Sequence, residues 1–224
     1  LPINERLANQ KVPFSTDNLR SPHNFWFANR SFIGKQLTNL RDVGVSFNII
    51  NQKFLPIDFT LGVYNGMGLY TQDRTLELNE LSYAGRIVFQ PLSSLQFQLN
   101  ALTIYPGQIR MNYYSPGLMF NFSNFTFEME YLYKTYNSVS KLDFNETQSW
   151  LIQANYDIYT PKFKYVKIIT PLLRYDDMKK NMRYDVQSSS SIIVKTDEAR
   201  KRLTGGITFS FAKPFVNEIR LNYE

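Results

Sequence analysis

Glu128, Glu130 and Lys134 lie on one short stretch, "FTFEMEYLYKTY" (125–136). At even spacing an extended chain turns all three to the same face. Two carboxylates that close are raw material for general acid–base work. An enzyme needs more: a histidine, serine or cysteine constellation around them. The chain has a single histidine, His23, and no cysteine. A lone histidine lacks the companions of a metal site, and no Gly-rich phosphate loop or Walker motif is present. We therefore expect no enzyme and no cofactor, with His23 an ordinary loop side chain and the glutamates part of a wall.

A wall of charges has a chemistry of its own. Arg86, Lys134, Arg174 and Arg220 all fall on polar faces of alternating segments, with Lys11 a less certain fifth. Rings of charge select ions in a pore. A guanidinium suits phosphate through two parallel N–H···O bonds, whereas an ammonium acts as a point charge. Asp58, Glu128, Glu130, Asp157 and Asp176 share those faces. Internal ion pairs are then expected, and with them only modest anion selectivity.

The elements that carry these residues are strands. Opposite Glu128 and Glu130, the face of 125–136 is Phe125, Phe127, Met129, Tyr131 and Tyr133. The same alternation sets Val43, Val45, Phe47 and Ile49 against Gly44, Ser46 and Asn48, and Ile57, Phe59, Leu61 and Val63 against Asp58, Thr60 and Tyr64. It recurs in "LQFQLNALTIY", "LIQANYDIY", "GITFSF" and "EIRLNY". About eleven such strands of roughly 8 to 12 residues are predicted, the length a tilted membrane strand requires. Helical periodicity is confined to 22–40, where a short helical turn is expected.

Two architectures fit a strand with one ring-rich and one charged face. A soluble sandwich keeps the charges in water; a membrane barrel keeps the rings in lipid and the charges around a lumen. Aromatics make up 16% of the 224 residues, with 15 Tyr and 18 Phe. The mean hydropathy of −0.32 does not argue against a barrel, because alternating strands average out to neutral. No run of 18 apolar residues exists, so no membrane-spanning helix is expected. "LPINERLANQ" lacks the basic and apolar regions of a signal peptide. An excess of 25 Lys+Arg over 19 Asp+Glu is unclustered, which argues against nucleic acid.

Connections alternate in length. Those at 51–56, 91–94, 121–124 and 212–217 are short, whereas 15–40, 66–80, 137–148 and roughly 177–203 are long and polar, the last with "SSSS" at 188–191. Short turns on one side and long loops on the other is a barrel layout. Tyr64, Tyr70, Tyr83, Tyr105, Tyr113, Tyr114, Tyr159, Tyr165, Tyr175 and Tyr223 lie near strand ends, where a membrane–water boundary favours them. The expectation is all-β, an antiparallel transmembrane β-barrel.

The order of motifs along the chain is more specific. Gln10, Lys11, Pro13 and Phe14 in "NQKVPF" precede Asn29, Arg30 and Ser31; then come Arg41, Asp42 and Gly44 in "RDVG", Asn65 and Gly66 in "YNG", and Arg86 and Pro91 in "GRIVFQP". This series, with the "LNYE" ending, resembles the phosphate-selective porin O/P family of Gram-negative outer membranes. The resemblance implies about sixteen strands for a whole barrel, so residues 1–224 would be one barrel domain incomplete at its N-terminus. It also implies that loop 15–40 folds into the lumen as a constriction, with Arg20, Arg30 and Lys35 lining the anion path and Asn18, Asn24 and Asn29 as neutral partners. Arg30 has an alternative role, anchoring the loop through a wall carboxylate. The implied function is passive diffusion of small anions such as phosphate, or other small polar solutes, across the outer membrane. Lipid is the implied surroundings, and a homotrimer or other envelope proteins are the implied partners. A porin-derived structural barrel within a larger complex is the alternative, and a soluble extracellular glycan-binding β-sandwich a second.

Overall fold

Alternation with period two makes strands, and strands account for nearly all of the regular structure. The computed structural model describes residues 3–21, 24–37, 41–51, 56–65, 81–105, 109–137, 144–188, 191–211 and 218–224. In order these form β1 (Ile3–Lys11), β2 (Arg41–Asn51), β3 (Ile57–Tyr64), β4 (Ser82–Leu92), β5 (Leu95–Ile104), β6 (Met111–Phe122) and β7 (Phe125–Tyr136). There follow β8 (Glu146–Tyr156), β9 (Ile158–Tyr159), β10 (Val166–Met178), β11 (Asn181–Ser188), β12 (Ser191–Asp197), β13 (Arg200–Phe211) and β14 (Glu218–Tyr223). Among the described residues, helix is limited to one turn, Thr16–Leu19, and a π turn, Ile33–Leu37. His23, Tyr70, Gly66 and the loop 66–80 lie outside the described residues.

Consecutive strands pair except around β9 and the β11–β12 hairpin, where β10 pairs with β8 and β13, and every pair is antiparallel. The path runs β1-β2-β3-β4-β5-β6-β7-β8-β10-β13-β14, with β9 beside β10. The sheet is not closed: β1 and β14 are its ends and do not pair with each other. The path holds eleven strands, so β1 and β14 run in the same direction. Connections after β2, β4, β6, β8 and β13 fall on one side of the sheet, and those after β1, β3, β5, β7 and β10 on the other.

The expected loop 177–203 is corrected. Most of it is strand: β11 and β12 pair as a separate hairpin, with Asn181 opposite Asp197 at its root. It continues the β10–β13 pairing, which ends at Met178 opposite Arg200. Polar side chains had hidden the alternation there.

The inner face of the sheet buries charged side chains, and the outer face exposes apolar ones. On β7, Glu128 and Glu130 are 1% and 0% exposed. On β10, Leu172 is 6% exposed while its outward neighbour Leu173 is 55% exposed. Phe47, Leu61, Ile87, Leu99, Leu203, Ile207 and Leu221 are exposed on the same outer side. Outward positions carry no charge over 43–49, 57–63, 83–89, 95–103, 112–122, 125–135, 150–156, 169–175 and 203–211. Exposed apolar surface that continuous is rare on soluble monomers.

The inner side is not polar throughout. Towards the long connections it holds an apolar cluster of Tyr64, Leu102, Ile104, Met111, Tyr113, Leu132, Tyr136, Leu151 and Met178. Val12, Phe14, Phe32, Ile33 and Leu37, from the connection after β1, pack into it. Tyr64 and Tyr113 are thus corrected from boundary residues to buried inner ones. Their strand parity, not their closeness to a strand end, decided their side. Tyr64 lies across two residues that can have no side chain there. A Cβ on Gly62 would come within 2.4 Å of its hydroxyl, and one on Gly44 within 2.6 Å of its ring. Tyr83, Tyr114 and Tyr223 face outward and are exposed, and Tyr159 and Tyr165 are exposed near the short-connection end of β10.

Candidate functional site: the polar inner face and the segment across it

Register lines up the inner polar residues strand by strand. Arg86 stands opposite Asn100, and Asn100 opposite Ser115. Glu128 is opposite Gln153, and Gln153 opposite Arg174. Asp176 is opposite Arg202. Residues 12–21 and 24–37 lie across this belt and bond to it repeatedly.

Ser15 begins the contact. Its backbone is in the left-handed region, at φ 66°, which turns the chain sharply after Phe14. That turn aims its hydroxyl at Glu130, 3.1 Å away, and the Thr16 N–H donates to the same carboxylate at 3.3 Å. Ser115 donates to the other Glu130 oxygen at 2.7 Å. The Thr16 hydroxyl donates to Gln98, which also accepts from Arg86 at 3.1 Å. Phe14 meets Tyr113 edge-on, ring centroids 5.8 Å apart.

One turn later Arg20 reaches Glu128, with Nη2 2.5 Å from Oε2. Gln153 donates to the same oxygen at 3.0 Å. Arg20 also lies 3.8 Å from Asp17 and over the Trp26 ring at 5.2 Å. Asp17 staples the segment to itself by accepting from the Ser31 N–H at 3.1 Å and the Ser31 hydroxyl at 2.6 Å. Gly34 is required opposite it, because a Cβ there would stand 2.1 Å from the Asp17 carboxylate.

The far end of the segment docks on β10, β13 and β14. Arg174 donates to the Asn29 carbonyl at 2.7 Å, pairs with Asp176 at 2.9 Å and stacks 4.5 Å from Phe27. Arg202 donates to the Arg30 carbonyl at 2.8 Å and to Asp176 at 2.9 Å, and it covers Phe32 at 4.5 Å. The Phe32 N–H donates to Asp176. Asn29 donates to Glu224 at 3.1 Å. Burial alone raises the Glu224 pKa, but the Asn29 bond and the Arg202 and Arg174 charges outweigh it and hold it below the ordinary carboxylate value.

The expected anion-path cations are therefore not one ring. Arg20 and Arg86 bracket Glu128 and Glu130, and Arg174 belongs to the Asp176–Arg202 group. Lys134 is enclosed at 2% exposure, beside the Tyr113 and Tyr136 rings and bonded to β11. Arg220 pairs with Glu218 on its own strand at 2.6 Å. Lys35 is exposed on the π turn, and the Arg30 guanidinium lies over Phe25 at 4.8 Å. The anchor contributed at residue 30 includes its carbonyl, held by Arg202.

Sequence reasoning missed Arg202, Asp17 and Ser15. Arg202 has the parity of Thr204 and Thr208, so extending "GITFSF" backwards would have placed it on the inner face. Ser15 and Asp17 carry no periodic signal. Among the described residues no group of three metal-ligating side chains occurs, and no helix is long and apolar enough to cross a membrane, which says nothing of a β-barrel. Comparison with protein-family models and with curated proteins finds no match to the chain.

Proposed function

We propose that this chain is the wall and inner segment of an outer-membrane β-barrel of porin type in a Gram-negative bacterium, through which small polar solutes and anions diffuse. One observation carries the reading: the strand charges are buried on the inner face, while the outward mid-strand positions are uncharged and largely apolar. Water penalises that arrangement, and lipid outside a polar interior favours it. On β10 the outward run between Lys167 and Asp177 is Ile169, Pro171, Leu173 and Tyr175. Roughly ten residues at about 3.3 Å each, tilted by about 40°, give a band of about 25 Å, the apolar height of such barrels. A glycan-binding sandwich has no use for this arrangement.

The order of motifs supports the phosphate-porin resemblance, and the segment at 12–37 stands where a constriction is needed. Cations there are matched by Asp17, Glu128, Glu130 and Asp176, so the reading includes weak anion preference and not strict phosphate selection. The test is single-channel recording of purified protein in a planar bilayer. Ohmic conductance with slight chloride preference is expected. Extraction without detergent and no heat-modifiable gel mobility would overturn the barrel.

A second reading is a structural barrel with a plugged lumen. The apolar cluster that Val12, Phe14, Phe32, Ile33 and Leu37 share with the inner wall favours it. Silence across salts, in a protein that behaves as a barrel on gels, would select this reading over the porin.

A further inference from the structure

We infer that Lys134 is a positioning residue, a latch that holds the β11–β12 hairpin against the inner wall of β7 and β8. Its ammonium donates to the Asn181 side-chain oxygen at 3.1 Å and to the Met182 carbonyl at 3.0 Å. Both acceptors belong to β11. Across the hairpin root from Asn181 stands Asp197 of β12, the carboxylate whose charge acts on Lys134. One cation therefore holds β11 at the root of the hairpin, where Asn181 faces Asp197 of β12.

The rest of the cage comes from the wall. The ammonium lies 5.1 Å from the Tyr113 ring centroid and 4.9 Å from that of Tyr136, two cation–π faces. The Tyr136 hydroxyl contacts Asn181 at 3.1 Å, accepts from the Met182 N–H at 3.2 Å and contacts Thr147. Thr147 in turn donates to the Lys180 carbonyl at 2.8 Å. Burying an ammonium is costly unless its bonds are met, and here the hairpin supplies the oxygen atoms that meet them. A two-stranded hairpin alone is marginal in water, so it depends on this anchorage in return. Lys134 is thus set apart from the other expected path cations, whose partners lie on the segment or the sheet.

Amide hydrogen exchange on the detergent-solubilised protein reads the latch directly. Lys134→Met keeps the stem and removes the charge. Amides of 181–188 and 191–197 should then exchange at least about tenfold faster, while those of β7 and β8 keep their protection. Asn181→Ala, which leaves β7 untouched, should loosen the same amides and guards against a Lys134 variant that fails to fold. The double variant should add little to either single one, because both remove one shared contact. Hairpin protection unchanged in both single variants would overturn the latch, as would loosening spread equally over β7 and β8. This arm does not depend on conduction. Resting on the porin reading, Lys134→Met should also raise conductance. If wild type and variant are both silent while the hairpin loosens, the porin reading fails and the latch stands.

Discussion

At the scale of single residues, the inner face works through pairs. The pairing of Arg20 with Glu128 carries the clearest consequence, because both are nearly buried and come from opposite sides of the segment–wall contact. Removing one member of a buried pair costs about 3–5 kcal/mol, since the other charge is left stranded. Arg20→Ala should lower the urea midpoint of unfolding and shift reversal potentials in a potassium chloride gradient towards potassium. Adding Glu128→Gln should recover most of both, because no buried charge is then left without its partner. If Arg20→Ala left both unchanged, the pair would set neither stability nor selectivity. The faces of Glu128, Glu130 and Lys134 were legible in the sequence, since strand parity fixes them. Their partners were not: Glu128 meets an arginine 108 residues away, and Lys134 meets a hairpin whose polar composition resembled a loop.

Elements followed the sequence wherever apolar alternation was strong, and departed from it where polar residues alternate with one another. "RKRLTGG" and "NMRYDVQ" are strands because they extend the β10–β13 pairing and its hairpin, with little apolar pattern of their own. Turns show a finer residue code. β6 and β7 are joined by Ser123 and Asn124, and Ser123 takes φ 53°. A side chain in that region costs about 1–2 kcal/mol, which glycine avoids, and tight hairpins prefer glycine at such positions. Ser123→Gly should therefore stabilise the protein by about 0.5–1 kcal/mol, read as a higher urea midpoint with unchanged conductance. A lower midpoint would mean that the Ser123 hydroxyl, 3.4 Å from the Asn124 side chain, contributes more than the backbone strain removes.

For the whole molecule, the division of each strand into an apolar and a polar face was legible from alternation. Which face is buried and whether the sheet closes were not, because no periodicity in one chain reports what lies beside a face or an edge strand. Sidedness can be tested on the intact assembly. Ser123 is exposed in a turn on the short-connection side, and Asn137 is exposed at the start of the long connection after β7. Residues 1–224 hold no cysteine, so Ser123→Cys and Asn137→Cys each supply the sole thiol of this stretch. A membrane-impermeant maleimide should label one from outside intact cells and the other only after lysis; equal labelling would mean that the sheet does not span the bilayer. The eleven-strand path sets a further condition on any such assembly. Its two margins point the same way, so a seam made by joining them would be parallel, against the antiparallel habit of bacterial barrels. A neighbouring copy upright in the same bilayer offers the same mismatch, since turning about the membrane normal never reverses a strand. Any strands that completed an all-antiparallel wall would therefore be odd in number, and the first and last of them would run counter to β14 and β1.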